Sequence, residues 1–299
     1  MASTANHDLN EFLERHKPVF ILTGAGLSAA SGLGTYRNDD GEWSRQQPIT
    51  GQDFRTREEA RKRYWTRSYV GWPSVEKAEP NRAHYSLVEL EKRGWVAQLV
   101  TQNVDGLHTR AGQRNTIDLH GNLHRVICLS CDHSFSRLHM QSLLLELNPM
   151  LKSLAGQDAP DGDSDVDWRR SSQVHDGELR VKPQFPVDDN QLDREMINRL
   201  KIPPCPCCNG VLKPDVVFFG ENVDKVVVNA CFSSLAQAGS LLVAGSSLMV
   251  YSGYRFAKRA SELNLPIAIV NRGKTRADSL ATLRLHADCS DALQFAIDS

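Results

Sequence analysis

The stretch Val19-Phe-Ile-Leu-Thr23, followed directly by Gly24-Ala-Gly26-Leu-Ser28, decides the fold of this 299-residue chain. A short apolar run without polar alternation is typical of a strand that is buried on both faces in a parallel sheet. The two glycines allow a tight turn and a close approach of the backbone to a pyrophosphate, whose charge the next helix N-terminus accommodates. The stretch therefore indicates a nucleotide site. A plain strand-to-helix turn is the alternative that it leaves open by itself.

Three more apolar runs of strand length occur at residues 95–101, 240–244 and 266–270. Each run is followed by Gly, Ser or Asn and then by a segment of helical composition. Helices are predicted over residues 81–93, 223–237 and 252–264. Asn81 and Gly94 are predicted to bound the first of these helices. Strands that alternate with helices indicate an α/β fold with a parallel, doubly wound sheet.

Polar side chains follow these apolar runs. Gln102, Asn103 and Asp105 come directly after the second run, and residues 245–247 and 271–273 follow the other two. Open α/β sheets bind ligands in the crevice beyond the carboxyl ends of their strands. These positions, taken together with the glycine turn, therefore predict a dinucleotide crevice. A helix cap is the alternative for Asn103 or Asp105 taken alone.

A dehydrogenase is the natural competing interpretation of a strand followed by a glycine turn. Such an enzyme has a second strand about 20 residues further on, which ends in an acidic residue that binds the ribose. Residues 34–48 are instead polar and rich in turn formers, although Glu42 lies near the expected spacing. The pattern therefore does not match a simple dehydrogenase.

His120 is the candidate general base. It lies in Asp118-Leu-His120-Gly121-Asn122, where the glycine leaves space for a ligand beside the ring. A neutral imidazole with a pKa near its ordinary value is suited to accept a proton at pH 7. A hydrogen-bonded structural histidine is the alternative for such a residue taken alone.

Four cysteines form two pairs, Cys128-x-x-Cys131 and Cys205-x-x-Cys208, which have the spacing of zinc knuckles. Four thiolates close a tetrahedral structural site without an open position. Two unrelated thiol pairs are the alternative. Cys207 is able to replace Cys208 as the fourth ligand, although the two-residue spacing and the following Asn-Gly turn favour Cys208.

The segment between the two cysteine pairs contains an acidic insertion. Residues 156–193 hold ten acidic and four basic residues, punctuated by glycine and proline. This composition predicts a solvated insertion or long loop that interrupts the zinc module and leaves the sheet intact.

Composition and charge narrow the class of partner. The chain has 35 basic and 36 acidic residues, with 40% hydrophobic residues, which is typical of a globular protein. The near-neutral charge predicts no nucleic-acid partner and disfavours a zinc module that binds DNA. Since no apolar run reaches the roughly 20 residues of a membrane helix, we expect no membrane association. Residues 1–17 lack a signal-peptide pattern and are too acidic for a mitochondrial presequence, so we expect a cytoplasmic location.

In their order along the chain, these motifs resemble the sirtuins, and the resemblance runs from about residue 19 to about residue 293. Residues 213–221 (Lys-Pro-Asp-Val-Val-Phe-Phe-Gly-Glu) add to it. The chain is most similar to class II, the branch of the mitochondrial sirtuin 4-like enzymes and their bacterial relatives. Residues 71–73, 159–163 and 251–255 carry that closer similarity.

The resemblance implies a Rossmann-type parallel-sheet domain and a smaller zinc-binding plus helical domain. The first would comprise residues 1–37, 81–124 and 212–299, and the second a helical module at 38–80 and the zinc module at 125–211. It also implies NAD as co-substrate, one structural zinc ion, and acylated-lysine proteins or peptides as partners.

The implied reaction is NAD-dependent deacylation. The acyl oxygen would attack C1′ of the nicotinamide ribose, and nicotinamide would leave. His120 would then deprotonate the ribose, and water would release free lysine and O-acyl-ADP-ribose. Protein ADP-ribosylation, which uses the same NAD site, is the alternative activity.

The resemblance also implies individual site residues. The catalytic pair would be His120 and Asn103, and the metal ligands Cys128, Cys131, Cys205 and Cys208. The cofactor-binding residues would be Gly24, Ala25, Gly26, Ser28, Gly32, Tyr36, Arg37, Gln102, Asn103, Asp105, Gly245, Ser246, Ser247, Asn271, Gly273 and Cys289. The backbone of Val217, Phe218, Gly220 and Glu221 would pair with the substrate peptide as an added strand.

Tyr64 and Arg67 are further substrate candidates. They lie three residues apart in a stretch of helical composition at 54–70, so they share one helix face. A phenol and a guanidinium on one face form a receptor for a carboxylate, and related sirtuins that remove acidic acyl groups have a similar pair. The pair therefore predicts a preference for acyl chains that end in a carboxylate. The alternative is that Arg67 belongs to a solvated basic face with its neighbouring arginines.

Overall fold

The computed structural model of the protein describes residues 2–34, 49–154 and 197–298. The predicted cofactor residues Tyr36 and Arg37, and the acidic insertion at 156–193, lie outside the described residues. Among the helices that the structure describes, none has the length and apolar character needed to cross a membrane.

The strands form two separate sheets. Their bounds are β1 Val19–Thr23, β2 Val96–Thr101, β3 Thr116–Asp118, β4 Gly121–Cys128, β5 Ser134–Ser136, β6 Leu212–Val216, β7 Ser240–Ala244, β8 Ile267–Val270 and β9 Leu283–Leu285. The larger sheet has the order β3-β2-β1-β7-β8-β9, and each of its neighbouring pairs is parallel. The predicted parallel sheet is therefore confirmed. Its strand order reverses direction between β1 and β7, which is where open α/β sheets bind ligands.

The helices lie on both sides of this sheet and around the smaller one. Their bounds are α1 Ala2–Arg15, α2 Ala25–Ser28, α3 Gly51–Thr56, α4 Glu58–Lys77, α5 Arg82–Lys92, α6 Leu107–Ala111, α7 Arg137–Leu147, α8 Lys225–Ala236, α9 Tyr251–Glu262, α10 Cys289–Ala292 and α11 Phe295–Asp298.

Strand β1 shows why the sheet is central. All five of its residues are buried, and successive side chains point to opposite faces of the sheet. Ile21 joins an apolar cluster with Leu87 of α5, whereas Phe20 and Leu22 join a second cluster with Phe256 of α9. Burial of each such side chain stabilises the fold by about 1.5–3 kcal/mol. The apolar run therefore forms a strand that is covered on both faces, as predicted.

Helix α5 begins and ends close to the predicted positions. The Asn81 side chain accepts a hydrogen bond from the backbone N–H of Ala83, and His84 completes a capping box. Gly94 follows the helix in the left-handed conformation, with φ of 71°. A glycine adopts that conformation without steric cost, which explains the stop at this residue.

The stretch of helical composition at 54–70 is divided between two helices. Helix α3 ends at Thr56, and Arg57 is extended, with φ of −119° and ψ of 119°. Helix α4 then starts at Glu58, and the two acidic residues in its first turn, Glu58 and Glu59, complement the helix dipole. The stretch is therefore helical, as its composition predicts, except at the extended Arg57.

The smaller sheet is antiparallel, in the order β5-β4-β6. It has its own apolar cluster, in which Val126 and Leu212 pack with Trp65 of α4 and Met140 of α7. Strand β6, which we expected in the Rossmann-type part, pairs with β4 in this sheet. The domain boundaries stay a prediction.

Candidate active site

A cavity of about 620 Å³ opens at the carboxyl ends of β1, β2, β7 and β8. This volume lies in the range of roughly 300–1,000 Å³ that small-molecule sites occupy. The predicted cofactor residues that line it are Gly24, Ala25, Gly26, Ser28, Gln102, Asn103, Asp105, Gly245, Ser246, Ser247, Asn271 and Cys289. The other predicted residues that line it are His120, Tyr64, Val217, Phe218, Gly220 and Glu221. Gly32, Gly273 and Arg67 are described, but they are not among the lining residues.

The glycine turn packs against the end of β7. A Cβ atom placed on Gly26 would lie 2.9 Å from the carbonyl oxygen of Gly245, and Gly245 itself is left-handed, with φ of 68°. Neither position therefore accepts a side chain without movement of the backbone. The glycines are required by close packing of two backbone segments, and this packing shapes the wall of the cavity.

Ser28, Asn103 and Asp105 form one buried hydrogen-bond network. The Ser28 hydroxyl donates to Asp105 Oδ2 at 2.7 Å, and Asn103 Nδ2 donates to Ser28 Oγ and to the carbonyl oxygen of Gly24, both at 3.0 Å. Burial raises the pKa of Asp105. Asp105 Oδ1 also accepts from the backbone N–H of Leu107 at the start of α6. Asp105 therefore makes a local hydrogen bond beside α6, whose N-cap is Gly106, and it lines the cavity as well.

The ring nitrogens of His120 have two different partners. Nδ1 lies 2.9 Å from the carbonyl oxygen of Gln102, and Nε2 lies 2.8 Å from Ser252 Oγ. Because a carbonyl oxygen only accepts, Nδ1 carries the hydrogen in the neutral ring, and Nε2 has the free lone pair. The Ser252 hydroxyl therefore donates to Nε2.

The pKa of His120 does not lie near its ordinary value, so that expectation was wrong. Burial lowers it from the ordinary value of 6.5, the Gln102 carbonyl opposes that effect, and the positive charge of Arg255 lowers it further. The ring is therefore neutral near pH 7, which is the form that a base requires. Ser252 and Arg255 both line the cavity and were not predicted as site residues. They lie in the segment 251–255, whose sequence had indicated only a closer relationship within the family.

The loop at 217–221 is held on two sides. The Val217 N–H donates to the carbonyl oxygen of His120 at 2.8 Å, and the Gly51 N–H donates to that of Phe219 at 2.9 Å. Glu221 Oε2 accepts from the Phe218 N–H at 2.9 Å. The loop therefore already has strand-like backbone pairing beside the cavity.

Glu221 carries two ion pairs that fix this loop. Arg55 Nη2 of α3 lies 3.0 Å from its Oε1, and Lys213 Nζ of β6 lies 3.2 Å from its Oε2. Lys213, Arg55 and the N–H of Phe218 together lower the pKa of Glu221 against the opposing effect of burial. The carboxylate therefore joins three chain segments at the cavity wall.

Tyr64 and Arg67 both lie on α4, and each side chain is about 7% exposed. The alternative that Arg67 belongs to a solvated face is therefore wrong. The Tyr64 ring packs against Phe54 and Phe218, with centroid distances of 5.5 and 5.2 Å. This packing holds Tyr64 in the cavity wall, while contact between Arg67 and an acyl carboxylate stays a prediction.

The two cysteine pairs come together at the end of the smaller sheet. The sulfur atoms of Cys128, Cys131, Cys205 and Cys208 all lie within 4.8 Å of one another. The distance is 3.4 Å between Cys128 and Cys208 and 3.7 Å between Cys131 and Cys205. A tetrahedral zinc with Zn–S bonds of about 2.3 Å separates its sulfurs by about 3.8 Å, so the set fits one zinc ion. Cys208, and not Cys207, is the fourth member of the cluster.

The local backbone explains this choice. The residue after each pair, Asp132 and Asn209, is left-handed, with φ of 55° and 59°. The Ser130 N–H donates to Cys128 Sγ at 3.4 Å, which stabilises the thiolate that a metal needs. Both turns thus direct two sulfurs each towards a common centre.

The chain is similar to known proteins over most of its length. The model of the Sir2 family matches residues 24–252. A Xanthomonas axonopodis pv. citri protein named NAD-dependent protein deacetylase is 45% identical over 290 residues, covering 97% of this chain and 90% of that protein. A Batrachochytrium dendrobatidis protein named NAD-dependent protein deacylase SIR4 is 42% identical over 293 residues, covering 96% and 91%. A solved structure of Sir2 with a p53 peptide and NAD+ has a TM-score of 0.69 at 25% identity, covering 97% of this chain and 96% of that one.

Proposed function

The chain belongs to the Sir2 family, and from this premise we propose that it is an NAD-dependent protein-lysine deacylase. One observation carries the proposal. The cavity at the strand ends brings the glycine turn, the Ser28–Asn103–Asp105 network and the basic nitrogen of His120 to one place.

NAD fits the residues that line this cavity. Amide and hydroxyl groups at four strand ends offer partners for ribose hydroxyls, and Asp105 lies beside them with an oxygen for an amide N–H. When bound, NAD supplies the C1′ carbon that accepts the acyl oxygen as nicotinamide departs. Asn103 and Ser28 would orient the ribose, Asp105 would bind the nicotinamide amide, and Asn271 would bind the adenosine ribose.

His120 is the proposed general base. Its Nε2 accepts the proton of a ribose hydroxyl, while Nδ1 keeps its hydrogen bond to the Gln102 carbonyl. The imidazolium formed is hydrogen-bonded on both sides, so the developing charge is compensated inside a buried site.

The proposed substrate is an acylated lysine in a peptide or protein. The loop at 217–221 supports this assignment, because its Phe219 forms an isolated β-bridge with Thr50 and the loop borders the cavity. An extended peptide adds to such a segment through backbone hydrogen bonds, and the acyl-lysine side chain then enters the cavity.

A test of the proposed function combines the purified protein with NAD and a panel of acyl-lysine peptides, read by mass spectrometry. We expect peptides that lose the acyl group only when NAD is present, together with nicotinamide and O-acyl-ADP-ribose. His120→Tyr should lower the turnover roughly 10²–10⁴-fold, because it removes a general base. A peptide that gains the mass of ADP-ribose instead would establish the transferase alternative, and unchanged turnover in the variant would refute His120 as the base.

We further propose that acyl chains ending in a carboxylate are preferred. Support comes from Tyr64 in the cavity wall and the buried guanidinium of Arg67 on the same helix face. Arg67→Met should lower the activity on a glutaryl-lysine peptide about tenfold or more, because a charge-assisted hydrogen bond is lost. Activity on an acetyl-lysine peptide should change little.

The matched control is Arg63→Met, which removes an exposed arginine from the same helix. It should preserve the ratio of glutaryl to acetyl activity. Equal losses on acidic and neutral acyl chains in Arg67→Met would show that Arg67 does not recognise the carboxylate.

A further inference from the structure

Ser252 contacts the proposed base His120, and the proposed function leaves it without a role. It lies on the first turn of α9, 132 positions along the chain from His120, and its Oγ lies 2.8 Å from His120 Nε2. Both side chains line the cavity. The contact is therefore made at the basic nitrogen itself.

The backbone brings these two side chains together by a close approach. A Cβ atom on Gly253 would collide with the side-chain amide of Gln102, so α9 packs directly on the segment that follows β2. The backbone carbonyl of the same Gln102 accepts the hydrogen bond from His120 Nδ1. Gln102 therefore has two functions. Its backbone carbonyl orients the His120 ring at Nδ1, and its side chain packs against α9, the helix that places Ser252 at Nε2.

A hydroxyl suits this place in both protonation states of the ring. It donates to the bare Nε2 of the neutral imidazole, and after a rotation about its C–O bond it accepts from the Nε2–H of the imidazolium. The alanine side chain can neither donate a hydrogen bond to Nε2 nor accept one from Nε2–H. Arg255, one turn further along α9, brings a positive charge near the ring, which increases the value of an acceptor for the imidazolium.

We infer that Ser252 is a positioning residue of the proposed deacylation, holding the His120 ring with Nε2 as its basic atom before and after proton transfer. The inference rests on the proposed function. In the step concerned, the ribose hydroxyl takes the place of the Ser252 hydroxyl at the single lone pair of Nε2. The ribose O–H bond then breaks and the Nε2–H bond forms, so the ring gains the proton and the ribose oxygen keeps the electron pair. Ser252 exchanges no proton with the solvent and returns to its starting bond when the ring releases the proton.

The test separates two stages of the reaction. In the proposed sequence nicotinamide leaves before His120 acts, so exchange of labelled nicotinamide into NAD with an acyl peptide does not need the base. Ser252→Ala should lower the rate of product formation about tenfold, the effect of one lost hydrogen bond, while nicotinamide exchange stays at the wild-type rate. Ser252→Thr, which keeps a hydroxyl, should restore product formation, and Ser261→Ala, on the exposed end of α9, is the matched control.

Several results would overturn the inference. The first is a rate of product formation in Ser252→Ala that equals that of the wild type. The second is an equal fall of nicotinamide exchange and product formation in Ser252→Ala. The third is a Ser252→Thr variant that forms product as slowly as Ser252→Ala. A wild-type protein without NAD-dependent deacylation contradicts the proposed function instead. In that event nitrogen NMR of labelled histidine still decides on the contact: the His120 Nε2 signal should shift in Ser252→Ala and not in Ser261→Ala, and an unshifted signal refutes it.

Discussion

At the scale of single residues, His120 shows how a buried base stays usable. The ring is partly buried, so its charged form loses hydration, and Arg255 opposes that form as well. Both effects lower the pKa and keep the ring neutral into acidic solution. The hydrogen bonds on both nitrogens fix which atom is basic. Orientation and protonation state are therefore both set before any substrate arrives.

The pH dependence of turnover follows from this environment. Because the neutral ring is the active form, kcat should fall as the pH drops through the lowered pKa, with a midpoint below the ordinary value of 6.5. Arg255→Met removes a positive charge that disfavours the imidazolium, so the midpoint should move to higher pH. Rates of deacylation measured between mildly acidic and neutral pH test both statements. A midpoint above 6.5 in the wild type, or a downward shift in the variant, would contradict this account.

At the scale of secondary-structure elements, the smaller sheet depends on its cysteine cluster. Cys128 ends β4, and Cys205 and Cys208 precede β6, the strand that pairs with β4. The chain between these strands is long, and its closure costs conformational entropy. A metal ion bound to the four sulfurs would offset that cost at one point and hold the two ends together.

Serine variants distinguish the neighbouring cysteines. Cys208→Ser should abolish stoichiometric zinc, because it removes a thiolate from a closed four-sulfur site. Structural zinc contributes about 10–16 kcal/mol in isolated fingers, so thermal unfolding should also begin at a lower temperature. Cys207→Ser, a change of the adjacent exposed thiol, should keep one zinc per chain. Elemental analysis decides the matter, and loss of zinc from Cys207→Ser with retention in Cys208→Ser would reverse the assignment.

At the scale of the whole molecule, the cavity is completed by segments that belong to both sheets. The glycine turn and three other strand ends come from the larger sheet, and the loop at 217–221 continues from β6 of the smaller one. Glu221 joins this loop to α3 through Arg55 and to β6 through Lys213. The shape of the site therefore depends on an ion-pair network as well as on apolar packing.

Glu221→Gln should destabilise the protein by about 3 kcal/mol. It leaves Lys213, whose side chain is 6% exposed, without its carboxylate, and unpaired buried charges are costly. The double variant with Lys213→Met should recover part of the loss, since no charge is then left buried. The exposed pair of Arg125 and Asp215 provides the control, and Asp215→Asn should cost less than about 1 kcal/mol. Denaturant unfolding measures all three, and a Glu221→Gln protein as stable as the control would show that the network contributes nothing.

Local patterns in the sequence determined the parts of this protein that depend on neighbours in the chain. Residues 19–23 are apolar throughout, so they form a strand that must be covered on both faces. Asn81 and Gly94 bound α5 because a capping side chain and a left-handed glycine act within a few residues. Cys208 joins the cluster because the turn formed by Cys205-x-x-Cys208 involves only neighbouring residues, and the two-residue spacing predicts it.

Only the tertiary structure decided what depends on segments far apart in the chain. The contact between Ser252 and His120 needs the close packing of α9 on the segment after β2. The burial of Arg67 needs the packing of α4 within the apolar cluster of the smaller sheet, although the same helix carries a basic run at residues 61–63. The lowered pKa of His120 is likewise a product of enclosure. Contacts, burial and pKa values are sums over neighbours in space, and a linear pattern specifies only neighbours in sequence.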